Sequence, residues 1–156
     1  MNLYRTVSML FLGTGLLLVP MLYAAATDIA VYKGQLRITA PDRQADKPLR
    51  IQYRSKTREV VRIAVNDLSL TDTGTKEVIT LPDRTASLAN HYDHEGYWTT
   101  DISYENLDLA GDNYRVEGRL RLYLLDSQRS RKFSAYLKPA VGIKPHDSSI
   151  DWGLDN

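Results

Sequence analysis

The stretch NYRVEGRLRLYLL, Asn113 to Leu125, decides the fold. Tyr114, Val116, Gly118, Leu120, Leu122 and Leu124 take every second position, and Arg115, Glu117, Arg119, Arg121 and Tyr123 fill the places between. Successive side chains of a strand point to opposite faces, so a period of two sustained over this length builds one apolar face and one wet face. A helix would scatter the same residues around its circumference. The segment is therefore expected to be a strand with a core on one side and water on the other.

The same alternation recurs on either side of it. Leu49, Ile51 and Tyr53 oppose Arg50, Gln52 and Arg54, and Val61, Ile63 and Val65 repeat the pattern. Trp98, Thr100, Ile102 and Tyr104 oppose Tyr97, Thr99, Asp101 and Ser103, and Phe133, Ala135 and Leu137 point inward from a strand over Arg131 to Lys138. Further strands are expected over Ile29 to Ala40 and Lys76 to Leu81. Turn formers separate these runs, among them Pro41-Asp42, Pro82-Asp83 and the stretches at Gly74, Gly96 and Gly111. Thr85 to Ala89 reads as at most a single helical turn. The sum is an all-β, seven-stranded antiparallel sandwich over residues 27–138, followed by a tail over 139–156.

Composition agrees with one domain. The chain has 156 residues, of which 43% are hydrophobic and 25% charged, enough for one two-layer core. It contains no cysteine, which excludes disulfides, thiolate metal sites and cysteine nucleophiles. Lys and Arg number 20 against 19 Asp and Glu, a balance that speaks against a nucleic-acid partner, since phosphate binding needs an excess of cations.

The first 26 residues set the expected compartment. One cation, Arg5, precedes the apolar run Val7 to Leu22, and the small residues Ala24 and Ala26 place a cleavage site before Thr27. The run is shorter than the ~20 residues a spanning helix needs, and Pro20 interrupts it, so a cleaved signal peptide is favoured over a retained anchor. No Asn-x-Ser/Thr sequon accompanies it. Together with the missing cysteines, this points to a periplasmic or secreted bacterial protein, with a Gram-negative envelope as the expected setting.

One local pattern resembles a known family. Asp101 to Val116 is similar to the E to F corner of fibronectin type III and related immunoglobulin-like domains. In that corner a Gly turn precedes, by three residues, a tyrosine that opens the next strand, as Gly111 and Tyr114 do here. The family's leucine lies six residues before the tyrosine, where this chain has Asp108 between Leu107 and Leu109. The resemblance implies an immunoglobulin-like sandwich. It also implies that the Tyr114 hydroxyl bonds back to the corner backbone, and it implies no activity.

Residues suited to chemistry are few. His91, Asp93, His94 and Glu95 are the one cluster of metal-type ligands, and His91 with His94 is the weak candidate pair for Zn²⁺ or Cu²⁺. No bound metal and no cofactor are expected. The remaining histidine, His146, lies in the tail, and no Gly-x-Ser-x-Gly elbow exists, so the chain reads as a non-enzyme. Surfaces are more informative. Arg115, Arg119, Arg121 and Tyr123 share the wet side of one strand, Arg50 and Arg54 lie on another, and both sets are candidates for contacting an acidic partner. In the tail, Ile150, Trp152 and Leu154 stand among Asp147, Asp151 and Asp155, which suits either packing on the chain's own sandwich or serving as a linear peptide for a partner.

Two readings of function stay open, with a third behind them. The first is a subunit or accessory factor of a bacterial surface fibre or other envelope assembly, acting through protein contacts and able to self-associate. The second is a soluble periplasmic binding or inhibitor module using loops such as Asp83 to Gly96. The third is a metal-handling protein.

Overall fold

The computed structural model describes residues 25–42, 45–88 and 92–139. All regular structure among them is β, in two antiparallel sheets that face each other across one apolar core. The strands are β1 (Ala26–Val31), β2 (Gly34–Thr39), β3 (Leu49–Ser55), β4 (Val60–Asp72), β5 (Val78–Thr80), β6 (Arg84–Ser87), β7 (Trp98–Tyr104), β8 (Tyr114–Leu124) and β9 (Gln128–Leu137). One sheet has the order β1-β2-β3-β7. The other runs β5-β4-β8-β9, with β6 also paired to β4.

The nine strands replace the seven expected, for two local reasons. The run Ile29 to Ala40 is folded back on itself, since Val31 pairs with Gly34 and the turn between them puts Lys33 at φ 46°. No Asn-Gly or Asp-Gly dipeptide announces that hairpin. Of the supposed helical turn at Thr85 to Ala89, Thr85 to Ser87 belong to strand β6 instead, where Arg62 to Val65 supply backbone partners for Ser87 to Arg84, and Ala89 lies outside the described residues. An available sheet edge overrides weak local preference.

The expected strand β8 is present, with Tyr114, Val116, Leu120 and Leu122 buried on its inner face. It pairs with β4 over nearly its whole length, but β4 carries one extra residue twice. Register shifts fall between Val60 and Arg62 and between Asn66 and Ser69. The first corrects the expected pattern: Val61, read as inward, is 40% exposed, and Val60 takes its place in the core. The second puts Asp67 at φ 54° and brings Leu68 and Leu70 inward after Ile63 and Val65. Such bulges re-aim a strand's side chains at the cost of a local break in pairing. Gly118 lies opposite the second one. A methyl group there would come within 2.8 Å of the Phe133 ring and 3.1 Å of Leu68, so the glycine is the space those two side chains fill.

The corner before β8 forms as the resemblance implies. Tyr114 is 2% exposed, and its hydroxyl accepts a hydrogen bond from the Gly111 N–H at 2.8 Å. Gly111 is required for another reason than its backbone angle, which is not left-handed. A Cβ on it would lie 1.9 Å from the Asp72 carboxylate, which in turn accepts from the N–H groups of Gly74 and Thr75. The corner therefore ties the end of β4 to the start of β8.

The two long sides of the sandwich differ. On one, β6 and β7 are laced together: Arg84 donates to the Ser103 carbonyl at 2.5 Å, and the Thr100 hydroxyl bonds the Ser87 carbonyl. On the other, β1 and β9 face each other across a gap bridged by Arg131, whose guanidinium donates to the Ala30 carbonyl at 2.8 Å.

Tyr114→Phe is expected to cost ~1 kcal/mol through the lost hydrogen bond, and Tyr114→Ala about 3 kcal/mol through the cavity it opens. Denaturant midpoints of the three proteins give the measurement. An alanine variant with the wild-type midpoint would remove Tyr114 from the corner.

Candidate functional site: the surfaces of the sandwich

The candidate arginines do not converge on one surface. Arg50 and Arg54 belong to β3 in the first sheet, and Arg115, Arg119, Arg121 and Tyr123 belong to β8 in the second, so the two sets lie on opposite outer faces of the sandwich.

Arg54 is not available to a partner. It points outward from β3, but the segment before β7 folds over it and leaves it 3% exposed. Its guanidinium pairs with Asp93 at 3.3 Å and with Glu95, and it stacks 4.2 Å from the centre of the Tyr97 ring. A buried guanidinium needs such partners, because an uncompensated charge away from water is costly. Asp93 is held in turn by the backbone N–H groups of Glu95 and Tyr97, each at 2.9 Å. Asp93 and Glu95 reach Arg54 from the turn closed by the bridge of Tyr92 to Trp98, so strand parity does not announce them.

This pairing shifts both carboxyl groups. The hydrogen bond from Arg54 holds Glu95 below its ordinary value of 4.5. Withdrawal from water pushes Asp93 up, but the N–H groups of Tyr97 and Glu95 and the nearby Arg54 charge outweigh it and hold the group below 3.8.

Charges on the β8 face are largely matched by neighbours. Arg115 pairs with Glu117 at 2.7 Å, and Arg119 lies 3.9 Å from Asp67. Asp83 bonds the Asn66 amide at 2.9 Å and the Asp67 N–H at 3.0 Å, and these bonds, with Arg121 adding its charge, hold its carboxyl below the ordinary value. Tyr123 is stacked under the Arg62 guanidinium at 4.1 Å. At the nearby end of the molecule, Arg58 stacks on Trp98 at 3.9 Å, and Trp98 meets Tyr92 at 4.0 Å.

The metal-type cluster has only part of its members in view. His91 lies outside the described residues, as do His146 and Trp152. His94 is 87% exposed, with Nε2 3.5 Å from Glu95, whose carboxylate also serves Arg54. No group of three or more His, Asp and Glu side chains gathers as a metal site among the described residues.

Sequence reasoning did not single out β9 as an edge. β9 has ten residues and pairs only with β8 among the described strands, which makes it the edge strand of its sheet. Beside it, Val31, Tyr32, Leu120, Leu122, Arg129 and Arg131 line a cleft of about 210 Å³ between the two sheets. The other edge of that sheet is blunted, since β5 and β6 span three and four residues. No protein-family model, curated protein or solved structure matches the chain.

Arg54→Ala is expected to lower stability by about 1–2 kcal/mol, between the effects of breaking an exposed and a fully buried pair. Because Asp93 and Glu95 titrate lower in the folded protein than in the unfolded chain, their contribution is complete above their ordinary values and vanishes as pH falls through the depressed ones. The gap between wild type and Arg54→Ala should thus stay constant at neutral and mildly acidic pH and shrink as pH falls below the ordinary carboxyl values of 4.5 and 3.8. Urea titrations across that range test it. A gap indifferent to pH would mean the two carboxylates do not support Arg54.

Proposed function

We propose that the chain is an exported, immunoglobulin-like β-sandwich, without catalytic activity, that works by binding other proteins of a bacterial envelope, as a subunit or accessory factor of a surface fibre or similar assembly. The observation that carries this reading is β9, a ten-residue strand at a sheet edge that pairs only with β8 among the described strands. Exposed edges of that length invite aggregation unless they are covered or used, and an extended segment of a partner is the natural occupant. Cations beside the edge, Arg129, Arg131 and Lys132, favour a partner segment of acidic character.

Export rests on the leader-like Met1 to Ala26. Met1 to Ala24 lies outside the described residues, and the expected cut before Thr27 falls one residue inside β1. Such a cut would remove the Ala25 carbonyl that accepts from Ala40 at 2.7 Å and the Ala26 to Thr39 pairing, the terminal rung of the β1 and β2 hairpin.

A second reading, a soluble binding module that docks an acidic protein on its basic surface, is favoured by the cations stacked on aromatic rings at Arg58, Arg62, Trp98 and Tyr123. Arg and aromatic side chains held in place are suited to interface hot spots. The two readings separate experimentally. A photo-crosslinking residue at Ser134 on β9, in protein exported in its native host, is expected to trap a discrete adduct with an envelope protein, whereas one at Lys76 on the far edge should trap none. Intact mass of the uncrosslinked form should begin at Thr27. Reversal of Arg119 and Arg121 to Glu should leave the adduct in place and stability within about 0.5 kcal/mol. An adduct lost on that reversal would shift the site to the β8 face, and the absence of any adduct at Ser134 would remove β9 as the docking strand.

A further inference from the structure

We infer that the cleft between β1 and β9 is a binding site for a small amphiphilic anion, a carboxylate carried on a short apolar body. The inference goes beyond the reading of β9 as a docking strand and does not depend on it, because it uses side chains on the core-facing side of β9 and none of that strand's backbone.

The pairing register places the cations. Val116, Gly118, Leu120 and Leu122 of β8 lie opposite Ala135, Phe133, Arg131 and Arg129 of β9. Residues directly opposite in an antiparallel pair share a face, so the row that buries Ala135 and Phe133 continues into Arg131 and Arg129. Two guanidiniums therefore stand on the core-facing parity, in register with Leu120 and Leu122, which are 1% and 3% exposed. Both arginines are exposed, because the two sheets leave the cleft of about 210 Å³ between them at this end.

Floor and mouth differ in chemistry. Leu120 and Leu122 make an apolar floor, and half-buried Val31 and Tyr32, from the hairpin of the facing sheet, make one wall. At the mouth, the Arg129 guanidinium lies 5.3 Å from the centre of the Tyr32 ring, and Arg131 donates one N–H to the Ala30 carbonyl at 2.8 Å. Neither cation makes a carboxylate ion pair among the described residues. Glu59, which accepts from the Tyr32 hydroxyl, is already paired with Lys33 at 2.6 Å.

That combination selects for a ligand with two parts. A bare anion would meet only exposed cations, which contribute little in water. An uncharged apolar body would shield the guanidiniums from water without supplying a counter-charge. A carboxylate on an apolar body does both jobs: its two oxygens match the planar fork of a guanidinium, and its hydrocarbon removes water from the leucine floor. The cleft is smaller than the ~300 Å³ at which pockets begin to enclose drug-sized ligands, so the body is a short chain or a single ring.

Titration of the folded chain with octanoate, followed by calorimetry and by the methyl resonances of Val31, Leu120 and Leu122, tests the inference. Saturable one-to-one binding that shifts those methyls is expected, with octanol and acetate each at least tenfold weaker. From butanoate to octanoate the affinity should rise, by up to about fourfold for each methylene buried. Arg129→Gln combined with Arg131→Gln should weaken octanoate at least tenfold and bring it level with octanol, with the melting transition retained. Val31→Phe, which fills the wall and leaves every charge in place, should also remove binding. Arg119→Gln combined with Arg121→Gln, which deletes the same charge from the outer face of β8, should leave the affinity unchanged. Absence of saturable binding, equal affinity for octanol, or an octanoate affinity unmoved by loss of Arg129 and Arg131 overturns the inference and leaves the two arginines as caps over an open sheet end. None of those results alters cross-linking at Ser134, so failure of the anion site and failure of the docking strand are read separately.

Discussion

The structure depends on the antiparallel union of β4 and β8. These are the central strands of the larger sheet, and every other element of that sheet is added to one of them: β5 and β6 along β4, β9 along β8. Their register works only because β4 contains two extra residues. Without the shift between Asn66 and Ser69, Leu68 and Leu70 would turn to water and Asp67 and Ser69 would turn to the core, since a one-residue slip in a strand reverses every side chain beyond it. The bulge is fixed from outside by Asp83, which takes hydrogen bonds from Asn66 and from the Asp67 backbone. It is fixed from inside by Leu68 and Phe133 closing over Gly118.

From that union the asymmetry of the molecule follows. β4 extends far enough to accept β6, whose loop is laced to β7, so one side of the sandwich is shut by hydrogen bonds between the sheets. β8 leads straight into β9, which pairs only with β8 among the described strands, and the hairpin of β1 and β2 meets it through the hydrogen bond from Arg131 to Ala30 and the Arg129 guanidinium over the Tyr32 ring. Surface charge is distributed in the same sense. Arg115 and Arg119 on the β8 face have carboxylate neighbours and Arg54 is sealed beneath a loop, whereas Arg129 and Arg131 of β9 border an apolar cleft. The face with the most arginines is the less promising docking surface, and the edge with fewer is the better one, because affinity comes from desolvated contacts and unsatisfied backbone more than from counted charge.

Much of the fold was legible because alternation is a strong signal: β3, β7, β8 and β9 point the way Leu49, Ile102, Leu120 and Phe133 indicate. The corner was legible from Gly111 and Tyr114, although the reason for the glycine, the approach of Asp72, depends on a contact across 39 residues of chain and could not be read locally. The bulges were hidden for the same kind of reason. Val61 and Ile63 alternate correctly in sequence, and only pairing with Leu124 and Tyr123 shows that Val60, not Val61, enters the core. Of the candidate surfaces, Arg54 was misread because a side chain on a wet face can be covered by a loop that the strand's own sequence does not announce. The β9 edge was not singled out, because an edge is a property of topology. His91 and Trp152 fall outside the described residues.

The most direct measurement is the set of cross-strand proton contacts between β4 and β8 in the nuclear Overhauser spectrum of the folded chain. With both bulges in place, Ser69 lies opposite Glu117 and Asn66 opposite Arg119. Backbone contacts between those two pairs are the expected result. Contacts placing Leu68 opposite Glu117 would mean uninterrupted pairing, which would turn Leu68 and Leu70 out of the core and contradict the register on which the sandwich, its corner and its open edge are built.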